Sequence, residues 1–242
     1  MFSKGLGVLL VLAGLPALVQ VSSGAVANVT VSNSTSWAGY VVTGSSFTSA
    51  KGSWTIPTVD CSKTPNTYSS FWVGIDGWIS PTVEQTGTDA DCDGTTPSYY
   101  AWYEFYPAAS VVISGVSVAP GNVISAAVSY SGSEFTITIT NETTGKSYSK
   151  SGKVSGAARS SAEWIAGGLS PLPDFGTVYF GEDYTDVSGT NYAADSTNSG
   201  PIGSFGKNVY KVNLVNSSGT PVLVTSPLTA DGTSFFVTWE FE

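Results

Sequence analysis

The chain has 242 residues, of which 41% are apolar, 12% aromatic and 11% charged. That length fits one large domain or two small ones with ample apolar surface for a core, and the charged share is less than half the roughly 25% usual for soluble domains. Nine basic against 18 acidic residues argue against a nucleic-acid partner, and the absence of histidine excludes Ser-His-Asp and Cys-His catalysis, histidine-ligated zinc and any histidine base.

Residues 1–27 read as a secretory signal peptide. Lys4 supplies the positive start, Gly5–Val21 carries no charge, and Ala25-Val26-Ala27 offers a small-x-small cleavage site. A membrane anchor is the competing reading, but the run is short for a span and is broken by Pro16 and Gln20. The expected product is a secreted, extracellular single domain, 28–242, with no membrane attachment. Cys61 and Cys92 are the two cysteines. In an exported protein they are expected to pair. The loop they close, about 30 residues, is worth on the order of 3–4 kcal/mol in the chain-entropy account.

Short β-branched and aromatic runs then recur between turn signals. They fall at Trp37–Val42, Phe47–Ile56, Ser69–Asp76, Tyr99–Tyr106, Val111–Val118, Val123–Tyr130, Phe135–Thr140 and Ser234–Phe241. The spacing predicts an all-β sandwich or barrel. Asn141–Gly145 reads as a hairpin loop leading into Lys146–Lys150. One short helical turn is predicted around Ala162–Ile165, ended by Gly167-Gly168. The stretch 186–203, rich in Ser, Asn, Gly and Asp, reads as a long surface loop.

Side chains alternate along a strand. In Ser70–Gly77, Phe71, Val73 and Ile75 share a core face, while Trp72, Gly74 and Asp76 share the other. In Tyr99–Tyr106, Tyr100, Trp102, Glu104 and Tyr106 oppose Tyr99, Ala101, Tyr103 and Phe105. A broad aromatic-acidic surface of this kind either packs under loops or grips an extended ligand. Asp89-Ala-Asp91-Cys-Asp93-Gly94 matches the opening of a calcium loop, but position 12 would be Tyr100 rather than a bidentate Glu, so no metal site is expected. Glu163, before Trp164 and Ile165, is a carboxyl that partial burial would tune.

Four motifs follow one another: Trp72-Val-Gly-Ile-Asp-Gly77, Glu84-Gln-Thr-Gly87, Ala101-Trp-Tyr-Glu-Phe-Tyr-Pro107 and Ser161-Ala-Glu-Trp-Ile165. With Ser36-Trp37-Ala-Gly39 and the Asn141–Gly145 hairpin, this series resembles the glutamic peptidases (eqolisins), from about Trp37 to the C-terminus. The resemblance implies a concanavalin A-like sandwich of two large antiparallel sheets with a substrate cleft across one concave face. It implies a catalytic pair, Gln85 and Glu163, and cleft residues Trp72, Asp76, Trp102 and Glu104 that bind substrate. It also implies polypeptide substrates, a monomer and no cofactor. Two positions depart from the fungal members: Glu84 stands where an apolar residue is common, and Tyr100 where they carry an acid.

The chemistry such a pair can do follows from its groups. Amide hydrolysis needs an activated water and stabilisation of the developing oxyanion. Ionised Glu163 can take a proton from water and return it to the leaving amine. The Gln85 amide can donate to the oxyanion while its carbonyl orients the water. An ordinary Glu titrates near pH 4.3, so the expectation is an acid endopeptidase. Two other readings are open from the residues. Trp102, Tyr100 and Tyr106 could stack on sugars, with a carboxylate pair from Glu84, Glu104 and Glu163 cleaving glycosides. An inert homologue acting as a surface protein is the other, and retention of both Gln85 and Glu163 counts against it.

Overall fold

The computed structural model describes residues 29–169 and 171–240. The segment read as a signal peptide, with its boundary at residue 27, lies outside them. In chain order the strands are β1 (Thr30–Ser34), β2 (Trp37–Thr43), β3 (Ser49–Thr55), β4 (Ser70–Asp76), β5 (Val83–Asp93), β6 (Thr96–Tyr106), β7 (Val111–Ile113), β8 (Val123–Ser131) and β9 (Glu134–Asn141). They continue with β10 (Lys146–Gly152), β11 (Ser161–Gly167), β12 (Thr177–Phe180), β13 (Tyr192–Ala194), β14 (Ser199–Pro201), β15 (Val209–Val215), β16 (Pro221–Thr225) and β17 (Phe235–Trp239). Among the described residues, helical structure is confined to one α-turn, α1 (Glu182–Thr185), and a 3₁₀ segment, Ile202–Asn208.

Hydrogen bonding orders the strands into two layers. The first runs β1-β15-β2-β11-β4-β5-β6-β7. The second runs β16-β17-β12-β3-β8-β9-β10, with β13 and β14 beside β3. The β15–β16 hairpin carries the chain between them. β1 joins β15 in parallel, and the other pairings are antiparallel. The layers face one another, with β4 and β5 over β8 and β9, and β11 over β3. Of the sandwich or barrel that the strand spacing predicted, this is the sandwich, with the antiparallel sheets that the family resemblance implied.

The core fills the space between the layers. Trp54, Trp164, Tyr40, Phe71, Phe180 and Phe235 are among its fully buried side chains, each worth about 1.5–3 kcal/mol for leaving water. Two indoles also tie the layers through polar bonds. Trp54 Nε1 donates to Thr88 Oγ1 at 2.9 Å, and Trp164 Nε1 donates to the Lys51 carbonyl at 2.7 Å. Buried N–H groups are thereby satisfied rather than orphaned. Cys61 and Cys92 form the expected disulfide, with their Cα atoms 5.3 Å apart.

Two sequence expectations need correcting. Ala162–Ile165 is not a helical turn but the middle of β11, an interior strand held between β2 and β4. All seven residues of β11 are buried, so it shows no polar-out alternation to mark it as a strand. The helical residues lie instead at Glu182–Thr185 and Ile202–Asn208. Finally, the stretch 186–203 is not one long loop, because β13 and β14 form a short hairpin that adds to β3. The Asn141–Gly145 loop does join β9 to β10 as predicted.

Candidate active site

The outer face of the first layer carries a second, smaller apolar cluster. Val41, Trp72, Trp102, Ile165 and Val212 form it, with Trp37, Trp78, Tyr100 and Tyr210 packed around them. The rings make a chain across the face. Trp78 lies 5.8 Å from Tyr210 and 6.1 Å from Trp37, Trp37 lies 5.6 Å from Trp72, and Trp72 lies 6.5 Å from Trp102, centroid to centroid. Apolar side chains outside a complete core mark a binding surface.

Strand register sets the rows on this face. One row reads Tyr210, Val41, Glu163, Gly74, Gln85, Glu104 across β15, β2, β11, β4, β5 and β6. Glu163 and Gln85 therefore flank a glycine, two strand spacings apart, or about 10 Å between backbones. Their side chains fill the gap between. A Cβ built on Gly74 would overlap Glu163 Oε1 outright and come within 3.1 Å of Gln85 Cβ. The next row reads Gly39, Ile165, Trp72, Gly87, Trp102, Val112. Gly87 is also forced, because a Cβ there would lie 2.8 Å from Trp72 Cβ and 3.0 Å from Trp102 Cζ2.

Beside these rows opens a cavity of about 460 Å³, lined by Trp37, Ser70, Trp72, Gln85, Asp89, Tyr100, Trp102, Glu104, Val112 and Leu169 among others. Four of the expected site residues, Trp72, Gln85, Trp102 and Glu104, thus share one cavity. The Trp72 indole N–H has no protein partner and is free to donate to a ligand. Gln85 Nε2 donates to Glu104 Oε2 at 2.6 Å, which fixes the amide, while its Oε1 accepts no hydrogen bond from the protein. Asp89 takes the Trp102 indole N–H at 2.6 Å, and Asp91 takes the Tyr100 hydroxyl at 2.8 Å. Burial pushes the Asp89 carboxyl up to about 6.

Glu163 is wholly buried, and neither of its oxygens has a protein hydrogen-bond partner. Burial first, then Asp76 and Glu84, hold its carboxyl well above the usual range. The tuning thus comes from burial within the sheet and from nearby acids, not from a helix start. A carboxylate formed there is strongly basic and gains from any donor brought to it.

Asp76 does not line the cavity. It is wholly buried at the end of β4, with φ of 73°. Its carboxylate accepts the backbone N–H of Arg159 at 2.7 Å, that of Ser160 at 2.9 Å, and the Ser160 hydroxyl at 3.1 Å. Asp76, expected among the substrate-binding residues, holds the backbone of Arg159 and Ser160 just before β11. Glu84 points the other way, into the layer between the sheets, because it precedes Gln85 on β5. It cannot share a face with Glu104, which removes the Glu84–Glu104 carboxylate pair of the glycosidase reading.

Sequence reasoning missed Trp37, Trp78, Asp89, Val112 and Leu169. Asp89 lies four residues beyond Gln85, so alternation along β5 would have found it had that strand been read. Asp89 and Asp91 lie within β5, with their carboxylates engaged as above. Among the described residues no group of three or more Cys, Asp or Glu is placed to hold a metal ion.

Residues 35–235 match the model of the Peptidase A4 family. The chain belongs to the Peptidase A4 family. Among curated proteins, it is 32% identical to aspergillopepsin-2 of Aspergillus niger over 176 residues, covering 61% of this chain and 62% of that protein. It is 37% identical to scytalidopepsin B of Scytalidium lignicola over 134 residues, covering 53% of this chain and 50% of that protein. The chain therefore spans half to three-fifths of the length of these A4 relatives. Its fold is similar to scytalido-glutamic peptidase solved with a transition-state analogue inhibitor. The TM-score is 0.69 at 24% identity, over 85% of this chain and 98% of that one. The glutamic-peptidase resemblance drawn from the four motifs is thereby confirmed as family membership.

Proposed function

We propose that this A4 family member is a secreted acid endopeptidase that cleaves polypeptides with a Glu163–Gln85 pair. The observation that carries the reading is the row Glu163-Gly74-Gln85, in which a carboxyl and an amide converge over a bare backbone beside an aromatic cavity. The family relationship to aspergillopepsin-2 and scytalidopepsin B supports it.

A peptide laid along the cavity stacks on Trp72 and Trp102 and takes the Trp72 N–H on a carbonyl. A water over Gly74 donates one hydrogen to Gln85 Oε1 and the other to Glu163. Burial and the nearby acids alone keep Glu163 protonated in acid, so the base is the ionised form that the bound water's hydrogen bond selects. Glu163 takes the proton as the water oxygen bonds to the scissile carbonyl carbon. The second Gln85 N–H, the one not committed to Glu104, donates to the oxyanion. Glu163 then returns its proton to the amine nitrogen, the C–N bond breaks, and the carboxyl product and amine leave. Asp76 keeps Glu163 in place through the backbone of Arg159 and Ser160.

The test is hydrolysis of an acid-denatured protein between pH 2 and pH 5. Gln85→Ala is expected to lose about 100–1000-fold in rate, the usual cost of one preorganised oxyanion donor. Glu163→Gln is expected to lose more. Near wild-type rates in Glu163→Gln would end the mechanism, and glycan hydrolysis without peptide cleavage would end the function.

A further inference from the structure

Glu84 is a buried carboxyl for which the proposed chemistry has no use. It stands on β5 one residue before Gln85, with Ile75 of β4 and Phe105 of β6 as its register neighbours. No part of it is exposed, and neither oxygen is held by a protein group at hydrogen-bonding geometry. Beneath β5 lie β8 and β9. Their buried faces present Ile124, Ala126 and Val128, and Phe135, Ile137 and Ile139, none of them titratable. Within the layer the acids that act with Glu84 are Asp76 on the adjacent β4 and Glu163 on β11, one strand further. From β6 it faces Phe105, with Tyr103 beyond. The nearby Arg159 directs its guanidinium to the Phe47 carbonyl and over the Tyr130 ring, not to this carboxyl.

We propose that Glu84 is a positioning residue that confines the protein to acid conditions. Protonated, it is a neutral filler of the layer under the Glu163–Gln85 row and leaves β5 in register. Ionised, it holds a charge between the sheets with only the Thr82 hydroxyl near enough to receive it and two acids acting against it. The element that must yield is β5, and β5 carries Gln85.

Burial first, then the Asp76 carboxylate, push the Glu84 carboxyl up to about 8, against a slight opposing effect of the Thr82 hydroxyl. The folded chain thus keeps a proton that the unfolded chain releases near 4.5. From this group alone the folded-to-unfolded ratio is full below that value. It falls about tenfold per pH unit as pH rises, until the folded group itself ionises.

The experiment compares wild type and Glu84→Gln by denaturant unfolding at steps from pH 4 to pH 8. The logarithm of the unfolding constant should climb with pH one proton less steeply in Glu84→Gln. By pH 8 the variant should gain on the order of 1000-fold in folded-to-unfolded ratio relative to its standing at pH 4. Equal slopes overturn the proposal. Should Glu84→Gln not fold, Glu84→Met replaces it with the same expected slope. Should neither fold, hydrogen exchange of the wild type decides. Amides of β5 are expected to lose protection ahead of those of β9 between pH 5 and pH 8, and uniform loss overturns the proposal.

A second readout rests on the peptidase reading: the alkaline limit of hydrolysis should move up in the variant that folds. An activity limit that stays put while the slope changes overturns the link to Gln85. Absence of hydrolysis at any pH in wild type counts against the peptidase reading and leaves the slope result standing.

Discussion

Glu163 and Gln85 stand in one row on either side of Gly74, where a side chain would overlap the Glu163 carboxyl and press on Gln85 Cβ. The glycine is thus part of the site. Gly74→Ala is therefore expected to fold, because the strand accepts alanine, yet to lose about 100-fold or more in kcat/KM, as displacements of about 1 Å at reacting groups do. Hydrolysis kinetics with circular dichroism on the same sample check it. A folded Gly74→Ala enzyme with wild-type kinetics would refute the convergence.

Asp76 ties the end of β4 to the chain leading into β11. Its three donors all come from Arg159 and Ser160, at the start of β11. Asp76→Ala removes the acceptor of three half-buried hydrogen bonds, at up to about 1–3 kcal/mol for each. The expected result is a lower melting temperature together with reduced kcat, while KM changes little, because the residue does not line the cavity. A raised KM with unchanged stability would return Asp76 to the substrate.

How much of this was legible in the sequence depends on where each strand sits. β4 and β6 could be read face by face because each has one core face and one cleft face, so the alternation of Phe71, Val73 and Ile75 against Trp72 and Gly74 survives in the sequence. β11 could not, because both of its faces are covered and Ala162-Glu-Trp-Ile-Ala166 lacks polar punctuation. β5 was missed for the opposite reason. Val83–Asp93 is rich in Thr, Gly and Asp, and its strand character comes from pairing with β4 and β6 over its length. The burial of Asp76 and Glu84 is likewise a product of long-range packing. Family motifs located Gln85 and Glu163, but that they share a row over Gly74 is fixed by the register of three strands distant in sequence.

Asp89 gives the cavity a pH-dependent charge. Burial lifts its carboxyl to about 6, with the indole N–H of Trp102 bonded to it. Below that value the cavity end is neutral, and above it the end is anionic. Peptides with Lys or Arg lodged there are expected to gain on peptides with Leu or Phe as pH rises from 5 to 7. In Asp89→Asn, where the amide oxygen can still take the Trp102 N–H, the ratio of the two kcat/KM values should stay flat with pH. A ratio that shifts equally in both proteins would place the titrating group elsewhere.

Stability as a whole should be greatest in acid. Glu163, Glu84 and Asp89 all have carboxyls raised chiefly by burial. Raised carboxyls bind protons in the folded state that the unfolded chain has lost. Their stabilisation is complete below the unfolded values and is lost as pH climbs through about 6 and about 8. The opposite sign belongs to Asp60, held down to about 2 by Ser62 and Lys63, and to Asp231, where bonds from Thr229 and Thr233 outweigh burial. Their contribution disappears at low pH, but both lie near the surface, where screening leaves little to lose. The ion pairs are equally slight: Lys63 with Asp60 and Asp174, and Lys153 with Glu134 at 3.8 Å. Calorimetric melting should therefore give a higher midpoint at pH 3 to 4 than at pH 7, a difference of several degrees for a domain of this size. A midpoint that rises toward neutrality would mean that the three buried carboxyls ionise without cost, and the electrostatic account of the Glu163 environment would fall with it.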